Sequence, residues 1–149
     1  TGRLRAGFVN VAVELGRPGI SASFEDVQKV TRALARLDVE FQKENPVTSL
    51  FTSDRNGDLN PEVLGERVLS ALVKFEIPVS RVPELVEALE EAGKTVDTVF
   101  SAALAEPIRP GESEPELIQI LEENGIFYRP NGKTNVGLGR PFLPVEAAS

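Results

Sequence analysis

Residues 7–14 alternate, with Val9, Val11 and Val13 on one face and Phe8, Asn10 and Ala12 on the other. A period of two in a run rich in valine specifies a strand with one firmly apolar face. Such a strand must lie in a sheet, with its apolar face under cover. Cysteine is absent, so no disulfide contributes and burial alone has to hold the fold. The chain has the means: 149 residues, 41% hydrophobic and 26% charged, are the length and composition of one globular domain. A chain of this size buries roughly 68–70% of its unfolded surface.

Beyond Gly16-Arg17-Pro18-Gly19, which breaks the chain, the pattern changes period. Ser23 followed by Asp26 is close to a capping box, and Phe24, Val27, Val30, Leu34 and Leu37 fall at helical spacing, which predicts a helix over 24–37. Val39 and Phe41 alternate with charges, so 38–43 reads as an edge-like strand, and 47–52 as a third. Asn60-Pro61 offers an N-cap and a first-turn proline, and the stripe Leu64, Val68, Ala71, Leu72 and Phe75 predicts a helix that Pro78 stops. The next helix, 82–92, buries Val82, Leu85, Val86 and Leu89 and ends on Gly93 as its cap. Thr95 is placed to cap another, with the stripe Val96, Val99, Phe100, Ala103 and Leu104 running towards Pro107 and Pro110. Ser113-Glu114-Pro115-Glu116 puts Ser at the N-cap and Glu at N3 of a helix ending at Asn124-Gly125, and 126–128 is a short strand.

These elements predict an α+β fold: a mainly helical single domain of about five helices, with a small sheet formed by the N-terminal and C-terminal segments. The compact domain covers 1–128, and 129–149 is an extended arm rich in proline and glycine.

Histidine, cysteine, methionine and tryptophan are all missing. Without Cys or His there is no thiolate nucleophile, no imidazole base, no Ser-His-Asp triad and no Cys- or His-ligated zinc. A carboxylate-dependent enzyme would remain conceivable, but no pair of acids can be placed in one cleft from the sequence. The expectation is a protein that is not an enzyme and uses no cofactor. The apolar runs are too short to span a bilayer, and residues 1–15 do not read as a secretory signal, so a cytoplasmic setting is expected.

The net charge of −7 is unevenly spread. Residues 61–125 hold five basic and fourteen acidic side chains, whereas 1–60 are balanced and 126–149 carry a small positive excess. The acidic block would repel phosphate backbones and anionic lipid, which argues against nucleic acid or membrane as partner. Its strongest concentration, Glu84, Glu87, Glu90 and Glu91, falls on the outer side of helix 82–92, as a solvated surface or a docking face for a basic protein.

Three short motifs carry possible chemistry. Asp54, Asn56 and Asp58 resemble the first, third and fifth positions of an EF-hand or dockerin-type calcium loop. The resemblance covers about nine residues. It departs at Leu59, where the turn glycine belongs, and at Gly65, where the bidentate Glu belongs; an Asx/Gly turn leading to the Asn60 cap explains the same residues. Residues 85–104 superficially resemble a helix-turn-helix, but the second element has no basic residue with which to hold DNA. Asn131-Gly132-Lys133-Thr134 contains the Gly-Lys-Thr of a phosphate loop with Phe127 where its first glycine should be. The backbone from Lys133 to Arg140 could wrap a small anion, and Asn131-Gly132 equally suits a hairpin turn.

The arm is too apolar for a plain solvated tail, since it carries Val136, Leu138, Phe142, Leu143 and Val145. Burying Phe142 and Leu143 is worth about 1.5–3 kcal/mol each, against the arm's own domain or a second subunit. The function read from all this is protein–protein interaction or assembly, with self-association. Its candidate contacts are Glu84, Glu87 and Glu91 for a basic partner and Phe142 and Leu143 between copies. The alternative is a module binding a cation at Asp54, Asn56 and Asp58, or a small anion at Lys133 and Arg140.

Overall fold

The computed structural model describes residues 5–17, 19–53, 55–108, 111 and 114–129. Strand β1 (Phe8–Leu15) leads through β2 (Ala22–Ser23) into helix α1 (Phe24–Ala35) and then β3 (Glu40–Phe41). An insertion follows, with the hairpin β4 (Phe51–Ser53) and β5 (Asp58–Leu59), two single turns of 3-10 helix, and β6 (Arg67–Val68), which pairs with β2. The second half is β7 (Ala71–Pro78), α2 (Val82–Gly93), β8 (Phe100–Ala105) and α3 (Glu116–Glu123).

The main sheet has the order β3-β7-β1-β8, and every adjacent pair in it is antiparallel. β1 pairs with β7 from Phe8 opposite Pro78 to Leu15 opposite Ala71, and on its other side with β8 from Asn10 opposite Ala105 to Leu15 opposite Phe100. β1 and β3 are therefore parallel with β7 between them, and β7 and β8 are parallel with β1 between them. Two such split βαβ units interleaved make the ferredoxin-like arrangement.

One face of this sheet carries the core. Val9, Val11, Val13 and Leu15 from β1, and Ala71, Val73, Phe75 and Ile77 from β7, join Val27, Val30 and Leu34 of α1 and Val82, Leu85 and Leu89 of α2 in a single buried cluster. α3 adds Leu117 and Leu121 beside α2. Phe41 meets Phe51 edge-on at 5.1 Å and Phe75 at 6.1 Å, which ties the insertion to the sheet.

The fold is α+β, but it is not mainly helical, and the number of helices expected from the sequence is corrected. Among the described residues there are three α-helices, and the main sheet has four strands. The expected helix running to residue 75 is a 3-10 turn at Pro61–Val63 followed by β6 and β7. Asn60 does cap that turn, accepting from the Glu62 amide at 3.0 Å, but Ala71, Val73, Phe75 and Ile77 obey a period of two that the helical stripe concealed. The expected helix over 96–104 is β8, so the second helix of a helix-turn-helix does not exist. Thr95 donates its hydroxyl to Ala92 at the end of α2 and starts nothing. Gly93 is the last residue of α2 without a left-handed backbone, and it lies beside the Phe100 ring.

The sheet draws on the N-terminal segment through β1, but its other strands come from the middle of the chain and not from the C-terminal segment. Residues 126–128 are not a strand: Ile126 donates to Leu121 and Gly125 to Glu122, the paired bonds of a Schellman ending on a left-handed glycine. α3 starts at Glu116, and its Leu117 amide is capped by the distant Glu106 carboxylate at 2.7 Å. Ser113, the expected cap, lies outside the described residues, as do 130–149 of the expected arm.

Helix α1 matches its expected start. Ser23 accepts from the Asp26 amide at 3.1 Å and donates to the Asp26 carboxylate at 2.8 Å. Its buried polar side chains hold the β4–β5 hairpin: Thr31 donates to the Gly57 carbonyl at 2.6 Å, and Gln28 accepts from the Leu59 amide at 2.9 Å. Gly57 has φ +68°, and a Cβ there would stand 2.3 Å from the Thr31 carbonyl oxygen. Gly125 is also left-handed, at φ +63°, but has open space around it. Gly125→Ala should thus cost about 1–2 kcal/mol for the backbone alone. Gly57→Ala, which adds a collision with the helix backbone, should cost about 2–4 kcal/mol. Urea unfolding of the two variants checks this, and equal losses would mean that the hairpin is not docked on α1.

Candidate functional site

The helices cover one face of the main sheet, and the opposite face is lined from β3, β7, β1 and β8. The pairing places Glu40, Glu76, Asn10 and Ala105 in one row across this second face, Lys74, Ala12 and Ala103 in the next, and Leu72, Glu14 and Ser101 in a third. A groove of about 670 Å³ runs over the first two rows.

Like charges directly opposite each other destabilise a strand pair, and Glu40 stands opposite Glu76. Arg5 resolves the conflict. Its guanidinium reaches Glu40 at 3.2 Å and Glu76 at 3.4 Å and lies 3.4 Å from the centre of the Phe8 ring. Asn10 donates to Glu76 at 3.0 Å. One end of the groove is therefore a closed polar network. Its middle is different: Lys74 is exposed, with no ion pair or side-chain hydrogen bond among the described residues, and it borders a floor of Ala12, Ala103 and Ala105.

The floor continues to the edge of the sheet at β8. Phe100-Ser101-Ala102-Ala103-Leu104-Ala105 contains no charge and no proline, and its register against β1 is unbroken by a bulge. Ser101 and Ala105 on the open face, and Ala102 on the helix side, are exposed, while Phe100 and Leu104 are half-buried against the core; among the described residues no strand pairs with the outer edge of β8. Val99 and Ile108, just beyond its ends, are 42% and 58% exposed. Sheet edges are normally blunted by charges, proline, bulges or shortness. The other edge obeys this rule, because β3 has only two residues and one of them is Glu40. β8 does not.

The segment leading into β8 is firmly held. The Gly16 amide donates to Val99 O at 2.8 Å, and Thr98 donates its hydroxyl to Ser21 O at 2.6 Å. Asp26, only 3% exposed, accepts from the Asp97 amide at 3.2 Å and from Lys29 at 2.8 Å, while Lys29 also donates to Thr95 O at 2.9 Å. Burial works against the charged carboxyl. The hydrogen bonds from Lys29, Ser23 and the Asp97 amide outweigh it, and the Asp26 carboxyl is held below its ordinary value of 3.8.

The residues singled out from the sequence lie elsewhere. Glu84, Glu87 and Glu91 are exposed on the outer side of α2, across the helix layer from the open face. Glu84 is paired with Arg81 at 2.8 Å, and Glu91 is bonded to Lys94, so two of the three charges are engaged locally. Glu87 has no ion pair or side-chain hydrogen bond among the described residues. Asn56 sits in the β4–β5 turn, and the Asp58 carboxylate accepts from Arg32 at 2.7 Å. No group of three or more acidic side chains among the described residues is arranged to hold a metal ion. Asp54, Lys133, Arg140, Phe142 and Leu143 lie outside the described residues. The sequence reasoning missed Arg5, Lys74, Glu76 and β8; the alternation over 71–78 could have found Lys74 and Glu76, whereas Arg5 and β8 are placed by long-range contacts that carry no local signal. Compared with known proteins, the chain matches no family model, no curated protein and no solved structure.

A carboxyl held low in the folded state stabilises the fold above its unfolded pKa, and that contribution is lost as pH falls through the folded value. Asp26→Asn should therefore be less stable than the parent by about 1–3 kcal/mol at neutral pH. The gap should narrow as the pH drops below 3.8. Thermal melts across pH 2–7 measure this, and a gap independent of pH would remove Asp26 from the acid response.

Proposed function

We propose that this protein is a non-enzymatic interaction and assembly module that self-associates. The observation that carries the reading is β8, an uncharged edge strand with no described strand on its outer side, beside a groove floored by small side chains. Backbone groups on such an edge gain most from another strand, and small neighbours let that strand approach. The acidic outer side of α2 adds a second part to the reading, with Glu87 and its neighbours steering a basic partner and rejecting acidic ones. This surface repels phosphate backbones and anionic headgroups alike, so nucleic acid and membrane are not among the proposed partners. No helix among the described residues is long and apolar enough to cross a membrane, and the cytoplasm is the proposed setting.

The test is absolute mass by size-exclusion chromatography with light scattering at two protein concentrations. Tyr128 is the single tyrosine and tryptophan is absent, so refractive index should serve as the concentration signal. The expected result is a discrete multiple of 16.1 kDa. A mass of 16.1 kDa at both concentrations defeats self-association. For the acidic surface, reversing Glu84, Glu87 and Glu91 to Lys should weaken binding of a polylysine peptide about tenfold at low salt, by loss of screened attraction. An unchanged affinity would leave that surface merely solvated.

A further inference from the structure

We propose that two copies join edge to edge through β8, antiparallel and about a two-fold axis at Ala103, so that two four-stranded sheets become one sheet of eight. This rests on the self-association reading and names its interface. A two-fold axis that runs two edge strands antiparallel stands perpendicular to the sheet. It keeps both helix layers on the same side, so residues facing each other across the joint must share a face. About Ala103, that rule sets Ala103 opposite Ala103 of the second copy, Ser101 opposite its Ala105, and Ala102 opposite its Leu104. Each open-face pair is small, which extends the floor of Ala12, Ala103 and Ala105 across the joint.

Charge selects a second copy over other occupants. Between Phe100 and Ala105 no ionic side chain is present to be opposed by its own kind. The first one beyond the strand, Glu106, falls opposite Phe100 of the second copy, and its carboxylate is already engaged by the Leu117 amide at 2.7 Å. Two chains of net charge −7 repel each other wherever their acidic surfaces meet, and α2 presents Glu84, Glu87, Glu90 and Glu91. The neutral β8 edge is the approach that opposes the fewest charges. A basic strand would find no carboxylate on β8 to pair with and would be drawn to α2 instead. Steric access is equally open, since Ser101, Ala102 and Ala105 are exposed on both faces of the strand.

The chain has no cysteine, so one introduced thiol reports one contact. Ala103→Cys puts two sulfurs across the axis, and mild oxidation should convert most of the protein to a covalent dimer. Glu90→Cys, on the outer side of α2, should give little dimer under the same conditions. Ala103→Lys should raise the dimer dissociation constant about tenfold or more, by opposing two ammonium groups, with the circular dichroism unchanged. If the parent has the mass of a discrete multiple but the Ala103→Cys variant does not cross-link beyond the Glu90→Cys control, the β8 joint is wrong and self-association stands. If the parent has the mass of one chain, with the edge left bare, covered by 130–149 or kept for another protein, both readings fall.

Discussion

Everything in this fold is referred to β1. It is hydrogen-bonded on both sides, to β7 across eight residue pairs and to β8 across six. Neither partner is near it in sequence, because each pairing closes a loop of more than fifty residues, between Leu15 and Ala71 on one side and between Leu15 and Phe100 on the other. The strand cannot satisfy its own backbone until both halves of the chain have arrived, and it cannot cover Val9, Val11 and Val13 until both helices have. Local structure is therefore a poor guide to the final state of β7 and β8, and long-range pairing of this kind is slow to form. Small polar devices then fix the layers against one another. Asp26 binds the backbone that enters β8, and Thr31 and Gln28 bind the β4–β5 hairpin, all three from one helix. The residues that α1 buries are thus not only the apolar ones that give it an amphipathic face.

That dependence explains what could be read from the sequence. α1 was legible to its first residue, because the Ser23 cap and the apolar stripe are both local and agree. α2 and the body of α3 were legible for the same reason, and β1 because its alternation is unambiguous. β7 was not. Leu64, Val68, Ala71, Leu72 and Phe75 fit a helix as well as Ala71, Val73, Phe75 and Ile77 fit a strand, and the choice between them was made by β1. β8 was harder still. Three alanines favour a helix, and only pairing with Asn10–Leu15 overrides that propensity. Mistaking these two strands for helices hid the open face entirely, since they are two of the four strands that form it.

The candidate surfaces divide in the same way. Glu84, Glu87 and Glu91 were found because helical spacing gathers them on one side of α2, and the structure keeps them exposed there. What spacing could not show is that Arg81 and Lys94 hold two of the three. Nor could it show that Arg5 would cross thirty-five residues to Glu40 and lie between two carboxylates. The Asp54–Asn60 stretch could be read in two ways from the sequence, as a turn or as a cation loop. Its oxygen-bearing residues recur at cation-loop spacing, yet the described part is governed by Gly57, whose missing side chain lets the turn lie on the Thr31 carbonyl. Close packing on α1 accounts for the glycine of the turn reading.

The two faces of the molecule consequently meet water in different ways. The helix layer is strongly acidic and keeps other acidic chains at a distance. The open face gathers two carboxylates around one guanidinium at the Arg5 end and becomes small and uncharged along β8. A strand this free of charge at an edge is a hazard in a monomer, because any exposed strand of suitable register can add to it. The same strand is a simple joint in an assembly, because its hydrogen-bonding groups are used once and the edge disappears. In the proposed assembly, acidic helices on one side and a neutral edge on the other would make the joint selective, because repulsion between copies would disfavour stacking through the helix layers and leave the sheet edge for contact. Such a two-fold joint would stop at two copies, since the far edge of each sheet is the two-residue β3 with Glu40 upon it.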